Sequence, residues 1–192
     1  MKPLRYLLPV LLMAVLSGCG LIYGQVMRSA EGVGEIKVIS GGIADLRPGS
    51  RVLVIGPFAK TRDAFYICRG EEAAFFSQQF KEKGLFHSEL HVRPGFDDPQ
   101  LAVTEIKGMA PEQLPLRLGL DRNPELILFG TILAREMSVA PGRGVVMTVS
   151  YRLEFYNPAT RQSTTLEVAT RDIFADCIPG IVAALMEKIV RR

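Results

Sequence analysis

The stretch Met147 to Phe155 alternates without interruption. Met147, Val149, Tyr151, Leu153 and Phe155 are apolar, and Thr148, Ser150, Arg152 and Glu154 between them are polar. Successive side chains of an extended strand point to opposite faces, so this pattern describes a strand with one buried face and one wet face. The strand is read over Val145 to Tyr156. Asn157-Pro158-Ala159-Thr160-Arg161 is a turn, and Thr164 to Ile173 returns as the partner strand. Arg51 to Phe58 (RVLVIGPF) and Glu125 to Leu133 (ELILFGTIL) differ: both faces are apolar, as in strands covered on two sides.

Helical spacing fills the intervals. A helix starting between Thr61 and Glu71 and running to Lys83 places Phe76 and Phe80 on one face, and Gly84 stops it. Glu71 and Glu72 suit an early turn and Lys81 and Lys83 the last one, by the sign of the helix dipole. Pro111 to Leu120 reads as a shorter helix ending at Gly119. Ile178, Ile181, Val182, Leu185 and Ile189 define a final helix that Asp176 can cap. Short strands are expected at Glu35 to Ile39 and Glu89 to Val92, with a loop from Pro94 to Pro99. The expected fold class is α/β: a mixed parallel/antiparallel sheet with helices packed on it, in a single compact domain.

The amino terminus belongs to a different problem. Lys2 and Arg5 precede an apolar run, Tyr6 to Leu16, and Leu16-Ser17-Gly18-Cys19 follows. A charged head, a short apolar stretch and a small-residue exit make a secretory signal. Eleven apolar residues fall short of the roughly 20 that cross a hydrocarbon core. Leu-Ser-Gly-Cys resembles the bacterial lipobox, which implies cleavage before Cys19 and a diacylglyceryl cysteine there, with palmitate-type acyl chains. The expected organisation is a signal peptide over 1–18, a lipidated leader over 19–33 and a periplasmic α/β domain over 34–192. Gly20, a non-aspartate after the cysteine, implies the outer membrane by the enterobacterial rule. The only cofactor expected is the covalent lipid on Cys19, and more than one acyl chain holds a protein durably on a membrane.

The whole chain carries a formal charge of +3. Loss of Lys2 and Arg5 with the signal leaves 21 basic against 20 acidic side chains, so no net field points to nucleic acid. Cys68 and Cys177 are the two cysteines left after lipidation, each near a helix start. In an oxidising compartment they form either a disulfide or two separately buried thiols. His87 and His91 are four apart, but on a strand that separation is about 13 Å and no acid or cysteine completes a metal set. Asp97-Asp98 and Glu71-Glu72 are adjacent acids explained by solvation and helix starts. Gly32-Val33-Gly34 lacks the third glycine of a nucleotide loop, and no nucleophile elbow or Walker loop occurs. Pro141-Gly142-Arg143 forms a basic hairpin tip, read either as an ordinary turn or as a contact loop for a partner. No small-molecule substrate is expected.

Three stretches together resemble an envelope lipoprotein superfamily: RVLVIGPF with a helix ending FKEKGLF, then LGLDRNPELILFGTI, then VSYRLEFYNPATRQSTTLEVATRD. Lipoproteins of the curli secretion channel type, the penicillin-binding protein activator type and the Pel polysaccharide export type share this layout. The amino-terminal domain of the Tol–Pal translocation protein shares it too. The superfamily's hairpin turn, Asp-x-x-Thr-Gly, stands here as Asn157-Pro158-Ala159-Thr160-Arg161, with Asn for Asp and Arg for Gly. The segment Ser138 to Gly144 is too short for the membrane-spanning hairpins of a channel. The leader is too short to match the long tether of a synthase activator. The resemblance therefore implies a non-enzymatic, lipid-anchored protein on the periplasmic face of the outer membrane. Such a protein would be an assembly or interaction module of an export (secretion) or cell-envelope complex, through a partner complex or self-association into a ring. The alternative is a regulatory lipoprotein that binds and activates a peptidoglycan synthase.

Overall fold

The computed structural model describes residues 31–64, 71–93, 98–140 and 144–191. Within them lies one seven-stranded sheet in the order β1-β7-β6-β5-β3-β4, with β2 also paired to β7. The strands are β1 (Gly32–Val33), β2 (Lys37–Ser40), β3 (Arg51–Lys60), β4 (His87–Val92), β5 (Leu126–Ala140), β6 (Gly144–Asn157) and β7 (Gln162–Ile173). Four helices accompany them: α1 (Glu72–Glu82), α2 (Pro99–Gly108), α3 (Leu114–Leu118) and α4 (Cys177–Val190). β3 is parallel to both β4 and β5, while β5, β6 and β7 form an antiparallel meander. This is the expected mixed α/β sheet. No helix among the described residues is long and apolar enough to cross a membrane.

Two differences from the sequence reading matter. The compact unit begins at Gly32, because Gly32 and Val33 pair with Arg171 and Thr170 of β7. β5 does not end near Leu133 but runs on to Ala140, so the segment read as a loop from Ser138 is largely a hairpin arm. Helix α2 was also not foreseen. Its start is nonetheless written in the chain, since Asp98 accepts a hydrogen bond from Gln100 N at 2.9 Å and Pro99 occupies the first turn.

The other helices follow their patterns. Phe76 and Phe80 are fully buried on α1, and Gly84 takes φ 67° beyond its end. The Oγ atoms of Ser77 on α1 and Ser88 on β4 lie 2.7 Å apart, a buried hydroxyl pair joining helix to edge strand. The five apolar residues expected on α4 are all buried. Asp176 precedes that helix but makes no capping hydrogen bond, since its backbone is already helical (φ −98°, ψ −11°).

The sheet has a core on each face. The larger one joins Val52, Val54, Phe58, Tyr151, Leu153 and Phe155 to α1 and α4. The smaller one places Leu53, Ile55, Ile127, Phe129 and Tyr156 against Ile106 of α2 and Leu114 of α3. The helices on that second face leave the β6–β7 half open, which is why Arg152 and Glu167 form an exposed ion pair there. Covered and wet halves of one face reproduce the two strand patterns of the sequence.

The centre of the larger core turns on an absent side chain. A Cβ built on Gly130 would stand 2.3 Å from the Phe58 ring. Phe58 therefore lies flat on the β5 backbone, and from there aromatic contacts run through Phe76 (5.6 Å) to Tyr151 (5.3 Å, edge-on). Gly130→Ala should lower stability by about 2–3 kcal/mol, the upper range for overpacking, because neither ring nor strand has room to retreat. Gly108→Ala, where an added Cβ meets nothing within 4 Å, should be neutral or slightly stabilising. Equal denaturant midpoints for the two variants would refute the close packing.

Candidate functional site

The sheet has two ends of opposite character. At one end β5 turns into β6 and β7 runs out into α4. Between Ile132 and Ala134 the pairing of β5 with β6 slips, so Arg135 falls opposite Val149 and Met137 opposite Met147, on the side of the larger core. Arg135 is thereby carried inward, its side chain only 5 % exposed, and meets Glu72 of α1, 7 % exposed, with Nη1 to Oε1 at 3.1 Å. Its Nε donates to Met147 Sδ at 2.9 Å, and its guanidinium lies 5.6 Å from the Phe174 ring centre. Glu72 Oε2 finds no hydrogen-bond partner among the described residues. This pair ties the root of the hairpin to the first turn of α1. The sequence reading placed Glu72 in a solvated early turn; it is instead a buried ion-pair partner.

Cys177 closes the same end. Its thiol lies 3.5–3.7 Å from the carbonyl oxygens of Met147, Asp172 and Ile173. Burial pushes it up to about 11, which the Asp172 carboxylate reinforces while a backbone hydrogen bond opposes it. The thiol stays protonated at neutral pH and is a poor nucleophile. Cys68, which the sequence leaves as either a disulfide partner of Cys177 or a separate thiol, lies outside the described residues, as do Cys19 and the tip residues Pro141, Gly142 and Arg143.

The opposite end holds an open cleft of about 500 Å³, floored by Leu126 and Phe155 and rimmed by Arg47, Arg51, Asn157 and Gln162. It sits at the amino ends of β3 and β5, whereas open α/β sheets place ligand crevices at the carboxyl ends of their strands. Most polar groups here serve the local fold. Asp45 Oδ2 accepts from Gly42 N at 3.1 Å and lies 3.2 Å from Thr164 Oγ1. Arg51 Nε donates to Asn123 O at 3.2 Å and faces Glu125 at 3.6 Å. Asn157 Oδ1 accepts from Ala159 N and Thr160 N, which closes the β6–β7 turn and leaves Arg161 at φ 57°. The lining includes neither histidine nor cysteine. Its hydroxyl–carboxylate contact, Thr164 with Asp45, is shared with the Gly42 backbone and braces that turn, and the cleft is suited to polar contact with a partner.

The remaining sequence candidates are scattered. His87 and His91 lie on β4 opposite Arg51 and Ile55 of β3, at strand spacing rather than on a helix face. Asp98 caps α2, Glu71 is exposed before α1, and Gly32 and Val33 form β1. The Arg135–Glu72 pair was missed. The available signal was an arginine inside the apolar strand segment ELILFGTILAREM, and the register slip that turns it inward is set by tertiary pairing.

No protein-family model and no curated protein sequence matches the chain. Among solved structures, the PelC dodecamer from Paraburkholderia phytofirmans is similar at 13% identity and TM-score 0.46, over 81% of this chain and 94% of that one. Lipoprotein GNA1162 from Neisseria meningitidis is similar at 14% identity and TM-score 0.39, over 74% and 99%. Hypothetical protein CT253 from Chlamydia trachomatis is similar at 13% identity and TM-score 0.41, over 75% and 95%. Similarity at this level leaves function to be argued from the residues of this chain.

Removing one partner of a buried ion pair strands the other in a low-dielectric site. Arg135→Met should therefore cost about 3–5 kcal/mol and lower Tm by roughly 6–20 °C. The double variant with Glu72→Met should recover most of that loss in thermal denaturation. Additive losses would mean that the two side chains act independently.

Proposed function

We propose that this chain is a lipid-anchored, non-catalytic lipoprotein of the outer membrane. Its α/β domain would serve on the periplasmic face as an assembly or interaction module of an export or cell-envelope complex. The observation that carries the reading is Leu16-Ser17-Gly18-Cys19 directly behind a charged head and a short apolar run. Three acyl chains on Cys19 would supply the durable membrane affinity that one chain lacks. The function is then placement: lipid holds the domain at the membrane, and its surface engages other subunits.

The sheet edges support self-association. Among the described residues no strand lies beyond β4 on one side or beyond β1 and β2 on the other. Both edges expose apolar side chains, Leu90 and Val92 on β4 and Val38 and Ile39 on β2. Unsatisfied strand edges are templates for pairing, and joining two unlike edges head to tail generates a ring when the rotation closes. The β4 edge of one copy beside the β2 edge of the next is such a contact.

Two measurements test these statements separately. Metabolic labelling with a fatty acid should mark the wild-type protein, and Cys19→Ser should abolish both label and membrane fractionation. Retention of either would sink the anchor. Light scattering after mild detergent extraction should give a multiple of the protomer mass, and Ile39→Lys should reduce it to one, because a charge at an edge opposes pairing. A wild-type monomer would remove the ring while leaving the anchor intact. Recovery of a peptidoglycan synthase with the extracted protein would favour the regulatory alternative.

A further inference from the structure

The two outer strands of the sheet match each other in main-chain direction, in face and in charge. On β4 the N–H of His87 donates to Ser50 O and that of Arg93 to Gly56 O. The odd-numbered residues of β4 therefore turn their main-chain groups toward β3. Those groups alternate along a strand, so Ser88, Leu90 and Val92 point theirs away from the sheet. On β7 the C=O of Ala169 accepts from Gly34 N, which fixes Ala169 and Glu167 as the residues facing β1 and β2. Lys37, opposite Glu167, turns its main-chain groups toward β7, and Val38 turns its own outward.

The side chains on these strands are matched as well. Val38 lies opposite Leu166 of the larger core, and Leu90 shares a face with Ser88, which meets Ser77 of α1 on that same core side. Val38 is 41 % exposed and Leu90 39 %. On the other face β4 carries His87, Glu89 and His91, and β2 carries Lys37. Glu89 and Lys37 are exposed and form no ion pair among the described residues.

β4 is parallel to β3, whereas β2 runs against it, as the pairings through β5, β6 and β7 require. Copies set side by side in one orientation, as around a ring, bring β4 of one antiparallel to β2 of the next with their larger cores on the same side. Leu90 and Val38 can then exchange main-chain hydrogen bonds, and two half-exposed apolar side chains meet. That register sets His91 opposite Lys37 in the close, non-hydrogen-bonded pair of the ladder, with Glu89 on the diagonal.

We propose that β4 of one copy pairs with β2 of the next in this register, and that the contact is loosened by acid when His91 gains a proton against Lys37. This rests on the self-association reading and deepens it. Imidazole changes its charge between about pH 5 and 8, and like charges directly opposed across strands disfavour pairing. Assembly is therefore complete with imidazole neutral and weakens as pH falls through that range. The other charges near His91 are Glu89 and Arg93 of its own strand, Glu105 of α2, held by Arg93 at 2.9 Å, and Glu35 of the next copy, which falls opposite Arg93. Its β3 neighbour, Ile55, is apolar. His87, beside Arg51 of β3, falls opposite Gly41, beyond the end of β2.

The test uses the mature lipidated protein in mild detergent. Val38→Cys/Leu90→Cys should give a ladder of disulfide-linked copies under a mild oxidant, and neither single variant should. The two positions lie on opposite edges of one sheet, so this bridge forms only between copies. In light scattering over a dilution series, the dissociation constant of each contact should rise about two- to fivefold between about pH 7.5 and about pH 5.5. His91→Gln and Lys37→Gln should each assemble at both pH values and lose that difference. Multimers that yield no ladder overturn the pairing and leave the self-association reading standing. Equal assembly of wild type at both pH values, or a difference that survives His91→Gln, overturns the acid release. A wild-type monomer overturns the proposal and the self-association reading together.

Discussion

The Phe58 ring occupies the space that a side chain on Gly130 would fill, and the larger core is assembled around that contact. With the ring seated on the β5 backbone, Phe76 of α1 packs on it, and Tyr151 and Phe80 pack on Phe76 in turn. Phe86 at the start of the second parallel strand and Phe155 of the meander close the cluster at 5.9 Å. Ring contacts thus bridge one helix to both the parallel and the antiparallel halves of the sheet, beside its Ser77–Ser88 and Glu72–Arg135 contacts. Offset and edge-on ring contacts add modest energy beyond burial, and they also dictate orientation. The Pro-Phe and Gly-Thr-Ile stretches that mark the resemblance in sequence meet in space as this single contact.

The sheet sorts its surfaces by direction. Its two ends differ chemically, one with an apolar ribbon and a buried ion pair, the other with a polar cleft whose side chains mostly brace turns. Among the described residues its two edges are alike in having no further strand beside them and in being partly apolar. Here the strongly shifted group, the Cys177 thiol, is shifted by burial and faces carbonyl oxygens, a structural setting.

The charged pair between Glu72 and Arg135 shows why part of the molecule was illegible. Read along the chain, Arg135 follows an apolar strand and Glu72 opens a helix, both normal places for a solvated charge. Burial comes from a slip in strand pairing that no local pattern encodes, and it brings together residues 63 positions apart. The ribbon is a similar case. Ser138, the proline and the glycines around the turn read as a loop, yet cross-strand pairing with β6 extends the strand to Ala140. Helix α2 was missed for a milder reason: Asp98-Pro99 is a sound start signal, but only Ala102 and Ile106 are buried on it, too few for a clear stripe.

The sequence by itself determined the strand faces, the inner stripe of α1 and α4, and the mixed sheet. Each rests on spacing within a few residues, where backbone geometry alone assigns side chains to faces. Tertiary structure decided how far β5 and β6 extend and that Gly130 must lack a side chain. It also decided that two charges of ordinary appearance are buried against each other. Those outcomes depend on register and on contacts between distant segments, and a linear pattern holds no record of either.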